Sequence, residues 1–231
     1  MKVIIAGGTG FIGTYLKKRF EQDGDSVLII SRGSGNVQWK ADQIESALED
    51  ADVLVNLAGR NINCRYNEEN KKQILDSRIS STTLLGETLK KVSHGPKLWI
   101  NASASAIYSS QNKYAAVENS LDLGFGFLAQ VVKVWESTFF GFQLPRVRQA
   151  VLRTSVVLGK SGGAFPTLSL LTKYGLGGQV GSGKQMFSWI HVEDYYRIVR
   201  FLIENENLSG VINCTSPGAV TNKDLMKSLR H

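Results

Sequence analysis

Hydrophobic and polar positions in this chain follow two alternating rhythms. Short, mainly apolar stretches that read as strands occur at Val3–Ala6, Ser26–Ser31, Ala51–Gly59, Leu98–Ser103, residues 149–158 and Val211–Cys214. Runs of this length, rich in Val and Ile and bounded by glycine or polar residues, are what a parallel sheet buries on both faces. Between them the apolar positions recur at helical spacing. Ile12, Leu16 and Phe20 form one stripe with Lys17, Lys18 and Arg19 largely outside it, while Leu75, Ile79 and Leu89 mark a long helix over 67–92 that Gly95-Pro96 stops. Residues 127–140 and 192–203 read as two further helices, and Val37-Gln38-Trp39 as a short extra strand. Alternation from end to end predicts an α/β fold, a doubly wound parallel sheet with helices on both faces.

The first run carries the sharpest signal, because it leads directly into a glycine-dense turn and then a helix. Gly8, Gly10 and Gly13 fit G-x-G-x-x-G, and Gly7, Gly10 and Gly13 fit G-x-x-G-x-x-G. Such a turn lets bare backbone lie against a diphosphate while the helix start presents its amides, which makes the sheet Rossmann-type. Gly7, Thr9, Gly10, Phe11, Ile12 and Gly13 are therefore candidate cofactor-binding residues. The second strand ends in Ser31-Arg32; Asp25 precedes that strand and Asp42 lies well after it. An acid at this strand end holds the ribose 2′-OH of NAD, whereas Arg accommodates a 2′-phosphate, so the expected cofactor is NADP(H). The alternative makes Arg32 a solvated loop cation. Leu57, Ala58 and Gly59 close the next long strand with small residues, where a ligand of an open α/β sheet lies. On the long helix, Gln73 and Arg78 are within reach of the cofactor on one reading, and Arg78 is a surface charge on the other. The run from Leu98 ends in Ser103-Ala104-Ser105-Ala106-Ile107-Tyr108, which makes Ser103, Ser105 and Tyr108 the catalytic candidates.

Composition narrows the class. The 231 residues are 42% apolar and 20% charged, enough to build one domain over 1–231. Net charge is +7, but Lys and Arg are scattered, so a nucleic-acid partner is not expected. No long apolar stretch or leader-like segment is present, and the expectation is a cytoplasmic protein without a membrane partner. Cys64 and Cys214 have neither C-x-x-C spacing nor a neighbouring His cluster, which points away from a disulfide framework and from a metal site. Residues 178–185 approach a P-loop, but Gln185 lacks the hydroxyl that would bind Mg²⁺ and the apolar stretch from Met186 to Ile190 is no helix start. His191 reads as a structural histidine. Residues 159–187, glycine-rich, and 215–231 are expected to build a small C-terminal substrate lobe. Its last helix, capped by Thr221, is expected to be cut short at His231, with part of the lobe beyond it.

G-G-T-G-F-I-G at 7–13, V-N-L-A-G at 55–59, S-A-S-A at 103–106, L-R-T-S-V-V-L-G at 152–159, G-S-G-K-Q at 181–185 and W-I-H-V-E-D at 189–194 together resemble the atypical, epimerase-like short-chain dehydrogenase/reductases. The resemblance covers nearly the whole chain. It implies a Rossmann fold with NADP(H), with cofactor contacts at Ser31, Arg32, Leu57, Ala58, Gln73, Arg78 and Val157; Gln73 stands where the pattern has an acidic residue. Members of this superfamily pair a Tyr with a Lys four residues on, so that the cation assists the phenol. None of the seven tyrosines here is followed by Lys at that distance. If Glu136 matches the glutamate of the pattern, Leu128 and Val132 occupy the two positions. The resemblance implies an NADP(H)-dependent reductase or epimerase acting on a nucleotide-sugar-like or small carbonyl or alcohol substrate; Tyr108, close after Ser103 and Ser105, is the candidate proton donor in place of the missing pair, and the alternative is a non-catalytic NADP(H)-binding regulator.

Overall fold

A computed structural model of the chain describes residues 1–109 and 116–230; Tyr114 and His231 lie outside them. The apolar runs become β1 (Lys2–Ala6), β2 (Ser26–Ile30), β3 (Val53–Asn56), β4 (Leu98–Ala104), β5 (Arg148–Thr154) and, later in the chain, β10 (Gly210–Cys214). They form one parallel sheet in the order β10-β5-β4-β3-β1-β2. Side chains alternate across it. Val3 and Ile5 meet Leu16 and Phe20 of α1 (Phe11–Gln22) and Tyr195 and Val199 of α6 (Val192–Glu204). Ile4 and Ala6 meet Ile44 and Leu48 of α2 (Ala41–Leu48), Leu85 and Leu89 of α3 (Glu68–Leu89) and Phe139 of α4 (Phe127–Phe140). Each large apolar side chain buried this way is worth about 1.5–3 kcal/mol, and both faces contribute. The chain switches direction between β1 and β3, which opens a crevice at their carboxyl ends.

Beyond β5 the path departs from the expectation of one strand over 149–158. The strand breaks at Ser155, whose N–H donates to Cys214 O at 3.1 Å. The chain then enters a three-stranded sheet of β6 (Val156–Gly159), β7 (Gly162–Gly163) and β9 (Trp189–His191). A small lobe comes next. Here α5 (Phe165–Lys173) packs on α7 (Asn222–Leu229), and β8 (Met186–Phe187) pairs antiparallel with β11 (Val220–Thr221). Residues 186–187 are thus strand, where a P-loop would have its helix. His191 caps α6, its Nδ1 accepting the Glu193 N–H at 3.3 Å.

The structure differs from the sequence pattern at three further places. Residues 37–39 form no strand but a single bridge, Val37 to Ile30. The helix α2 was not anticipated, although Ile44 and Leu48 stand one turn apart. The buried face of α3 is Ile74, Ser81, Thr82, Leu85 and Leu89, with Leu75 and Ile79 only half-buried beside it. Polar Ser81 and Thr82 hide that face from a hydrophobicity pattern; Thr82 is buried because it accepts hydrogen bonds from Asn56 and Trp135. Among the described residues no helix is long and apolar enough to cross a membrane.

Candidate functional site

The crevice holds a pocket of about 820 Å³, inside the roughly 300–1,000 Å³ usual for ligand sites. Its floor is the glycine turn. Gly7 has φ +76°, and a Cβ there would stand 2.8 Å from the Ala58 backbone, so glycine alone lets β1 turn this close to the end of β3. Gly10 behaves differently. A Cβ on it would meet nothing nearer than Gly7 O at 3.7 Å, and its bare backbone lines the pocket beside Gly7 and Thr9. α1 starts from Gly10 with no acidic residue in its first turn, which leaves the positive end of the helix dipole at the pocket.

Ser31, Arg32, Leu57, Ala58, Gly59 and Gln73 line the same pocket. Ser31 is buried, its Oγ accepting the Gly33 N–H at 3.3 Å, whereas Arg32 is exposed and has no hydrogen-bond or ion-pair partner among the described residues. The end of β3 is held by Asn56, fully buried. Its Oδ1 accepts the Ala58 N–H at 3.0 Å, and its Nδ2 donates to Asn101 at 2.7 Å and Thr82 at 3.2 Å. The segment 57–59 therefore faces the pocket on a rigid support.

Other predicted cofactor residues lie away from this lining. Phe11 packs its ring on the backbone at Gly159 and Gly162, Gly13 closes against Gly8, and Ile12 and Val157 belong to the core cluster around α1. Arg78 stands behind Gly59. Its guanidinium donates to Ile74 O at 2.8 Å and Arg60 O at 3.2 Å and stacks 5.1 Å over Trp135, with no carboxylate paired to it among the described residues. It is no surface charge: burial pulls its pKa below the ordinary guanidinium value, opposed by Tyr66.

Sequence reasoning missed Trp39, Arg60, Asp76, Ser77, Ser80, Ser81 and Leu84, which complete the lining. Residues 73, 76, 77, 80, 81 and 84 make one helical stripe on α3. The spacing was available, but small polar residues at that spacing look like a solvated face. Arg60 brings a second cation, tied to Asn70 Oδ1 at 2.7 Å. Away from the pocket, folding gathers Glu49, Asp50 and His94, whose ligand-type atoms lie within 4.8 Å of one another, at an exposed turn. The sequence held no sign of that group.

At the end of β4 the three hydroxyl candidates separate. Ser103 is buried and donates to Glu136 Oε1 at 2.6 Å. Tyr108 donates to Asn213 Oδ1 at 2.6 Å and accepts from Arg153 Nη1 at 2.9 Å. Ser105 opens a 3-10 turn, Ser105–Ile107, and its side chain has no partner among the described residues. Glu136 and Arg153 form a buried fork, Nε to Oε1 at 3.0 Å and Nη2 to Oε2 at 2.8 Å. Burial disfavours the charge of Arg153, but its hydrogen bonds to Glu136 and Tyr108 outweigh that and hold its pKa above the ordinary value.

Comparison with known proteins places this arrangement. The family model described as the NAD-dependent epimerase/dehydratase family matches residues 3–124. The mouse epimerase family protein SDR39U1 is 37% identical over 228 residues, which is 96% of this chain and 76% of that protein. The crystal structure of human SDR39U1 (isoform 2) with NADPH matches with a TM-score of 0.88 at 37% identity, covering 99% of this chain and 80% of that one. A nucleoside-diphosphate sugar epimerase from Corynebacterium glutamicum matches with a TM-score of 0.86 at 32% identity, covering 99% of this chain and 49% of that one. With a glycine turn, a strand order and a whole-chain likeness that agree, the chain belongs to the NAD-dependent epimerase/dehydratase family.

Proposed function

We propose that the chain binds NADP(H) along this pocket and acts as a reductase or epimerase on a nucleotide-sugar-like or other small carbonyl or alcohol substrate. Arg32 carries the cofactor part of the reading. A guanidinium without a partner among the described residues stands at the end of β2, where a Rossmann unit places the adenosine ribose, and Asp76, the acidic residue of the lining, is paired with Lys72 at 2.6 Å. The pocket also fits such a group in shape, since the space above Gly10 is open and the start of α1 adjoins it. The human relative solved with NADPH and the Corynebacterium protein named as a sugar epimerase support the two halves of the proposal.

A bound nicotinamide supplies hydride exchange. The chain's own residues do the rest. Gly7, Thr9 and Gly10 bind the diphosphate, Arg32 the 2′-phosphate, and the ends of β3 and β4 hold the reacting region. The hydroxyls of Ser103 and Tyr108 already donate hydrogen bonds within the protein, so Ser105 is the hydroxyl left to hydrogen-bond a substrate oxygen and relay its proton. The same commitment of Tyr108, with the Tyr/Lys pair missing, favours a second reading, a non-catalytic protein that responds to bound NADP(H).

Calorimetry with both cofactors tests the binding claim. NADPH should bind more tightly than NADH, and Arg32→Asp should weaken NADPH by about 10–100-fold, the worth of charge-assisted hydrogen bonds, while sparing NADH. Equal affinities in the unaltered protein would remove the assignment. Turnover is read from NADPH absorbance against carbonyl compounds and nucleotide sugars. There Ser105→Ala should slow the rate by about 10²-fold or more, and a panel without turnover favours the second reading.

A further inference from the structure

The pair Glu136–Arg153 is both charged and buried, each residue 7% exposed. Burying two charges is costly, and replacing such a pair by apolar side chains is often neutral or stabilising, so stability does not account for it. Its contacts do. The outer nitrogen of Arg153, Nη1, donates to Tyr108 Oη at 2.9 Å and to Glu118 O at 3.0 Å. Asn213 of β10 continues the chain of bonds: it accepts from Tyr108, its Nδ2 donates to Ala116 O at 3.1 Å, and its N–H donates to the Glu118 carboxylate at 2.8 Å. Closer to the turn, Gly124 N–H donates to Ile107 O at 2.8 Å and Ser109 N–H to Asp122 O at 3.2 Å. Segment 116–124 is thereby fastened to β5, β10 and the turn that bears Ser105.

We infer that Arg153, clamped by Glu136, is the positioning residue of the reacting end. It fixes Tyr108 and Glu118, and through them sets where Ser105 and segment 116–124 stand over the ends of β4, β5 and β10. The inference rests on the proposed function in one respect, that substrate lies at the end of β4. Helix α4 contributes a charged residue here, Glu136, as the clamp on a guanidinium from β5.

Hydrogen exchange followed by mass spectrometry on the full chain tests this without any turnover assay. Arg153→Lys keeps the charge and loses the fork. It should speed exchange at the amides of Ser109, Gly124 and Asn213 by about tenfold or more, as expected of a local opening, with core amides of β1 and β3 unchanged. NADPH affinity, the control for the distant pocket, should stay within about twofold. The double variant Glu136→Met/Arg153→Met removes the pair without leaving a lone buried charge. It should match the wild-type protein in thermal stability yet keep the fast exchange at Ser109, Gly124 and Asn213, while Glu136→Gln, which leaves an acceptor for Arg153, should retain that protection in part. Wild-type protection in Arg153→Lys, or in the double variant, would overturn the inference, and so would exchange accelerated equally throughout the sheet. Failure of NADPH to bind the unaltered protein would instead remove the proposed function, since the exchange result does not depend on it.

Discussion

Gly10 shows what one absent side chain does. Gly7 is required by the protein's own backbone, but space at Gly10 is open on the protein side. Gly10→Val should therefore leave the fold in place, with a helix-cap cost of about 1 kcal/mol and a melting shift of about 2–4 °C. It should weaken NADPH by about tenfold or more, the worth of about 1.4 kcal/mol, because the branched side chain fills the diphosphate position. Retained affinity in a titration would move the site elsewhere. Residues like this were legible because the glycine turn and the end of β2 stand at a fixed distance in any such unit. Trp39 and Arg60 were not, since nothing in their neighbours' spacing tells which way a loop side chain turns. The partner of Tyr108 was illegible for a related reason: Asn213, which accepts its hydrogen bond, lies 105 positions away.

At the level of elements, the support for the pocket is a set of buried amides and hydroxyls linking β3, β4, α3 and α4. Asn56→Ala would strip the Ala58 N–H and Asn101 of their partners in a fully buried position. Groups left unsatisfied cost about 1–3 kcal/mol each, so a loss of about 2–5 kcal/mol is expected. Thermal melts should fall by at least about 4 °C, and NADPH should bind more weakly because segment 57–59 loses its anchor. A melting point within about 1–2 °C of wild type, the noise of a neutral surface change, would show the network to be dispensable. Strands β1, β2 and β4 and helices α1, α4 and α6 were visible in the apolar pattern, because each is repaid directly by burial. The α3 face and the break at Ser155 were not. Thr82 is buried through hydrogen bonds, and Ser155 lies inside a stretch, 149–158, that reads as one strand but whose second half pairs in a different sheet.

Across the whole molecule the two cysteines should report folding separately. Cys214 is fully buried at the end of β10, where burial pushes its thiol pKa up, while Cys64 is half-buried in the loop before α3. A thiol reagent at neutral pH should modify one cysteine of the native protein promptly, and Cys214 only at the rate of global unfolding. Rapid labelling of both would mean that β10 opens independently. The parallel sheet, the helices α1, α4 and α6 and the glycine turn were determined by the sequence alone, because periodic burial and a backbone too crowded for side chains are local properties written in neighbouring residues. Which arginine lines the pocket unpaired, which hydroxyl at the end of β4 stays without a hydrogen-bond partner among the described residues and which charges lie buried together were decided only in three dimensions. Arg153, Glu136, Tyr108 and Asn213 come from four separate parts of the chain, and the energy of a hydrogen bond or a buried charge depends on partners that only folding brings within reach.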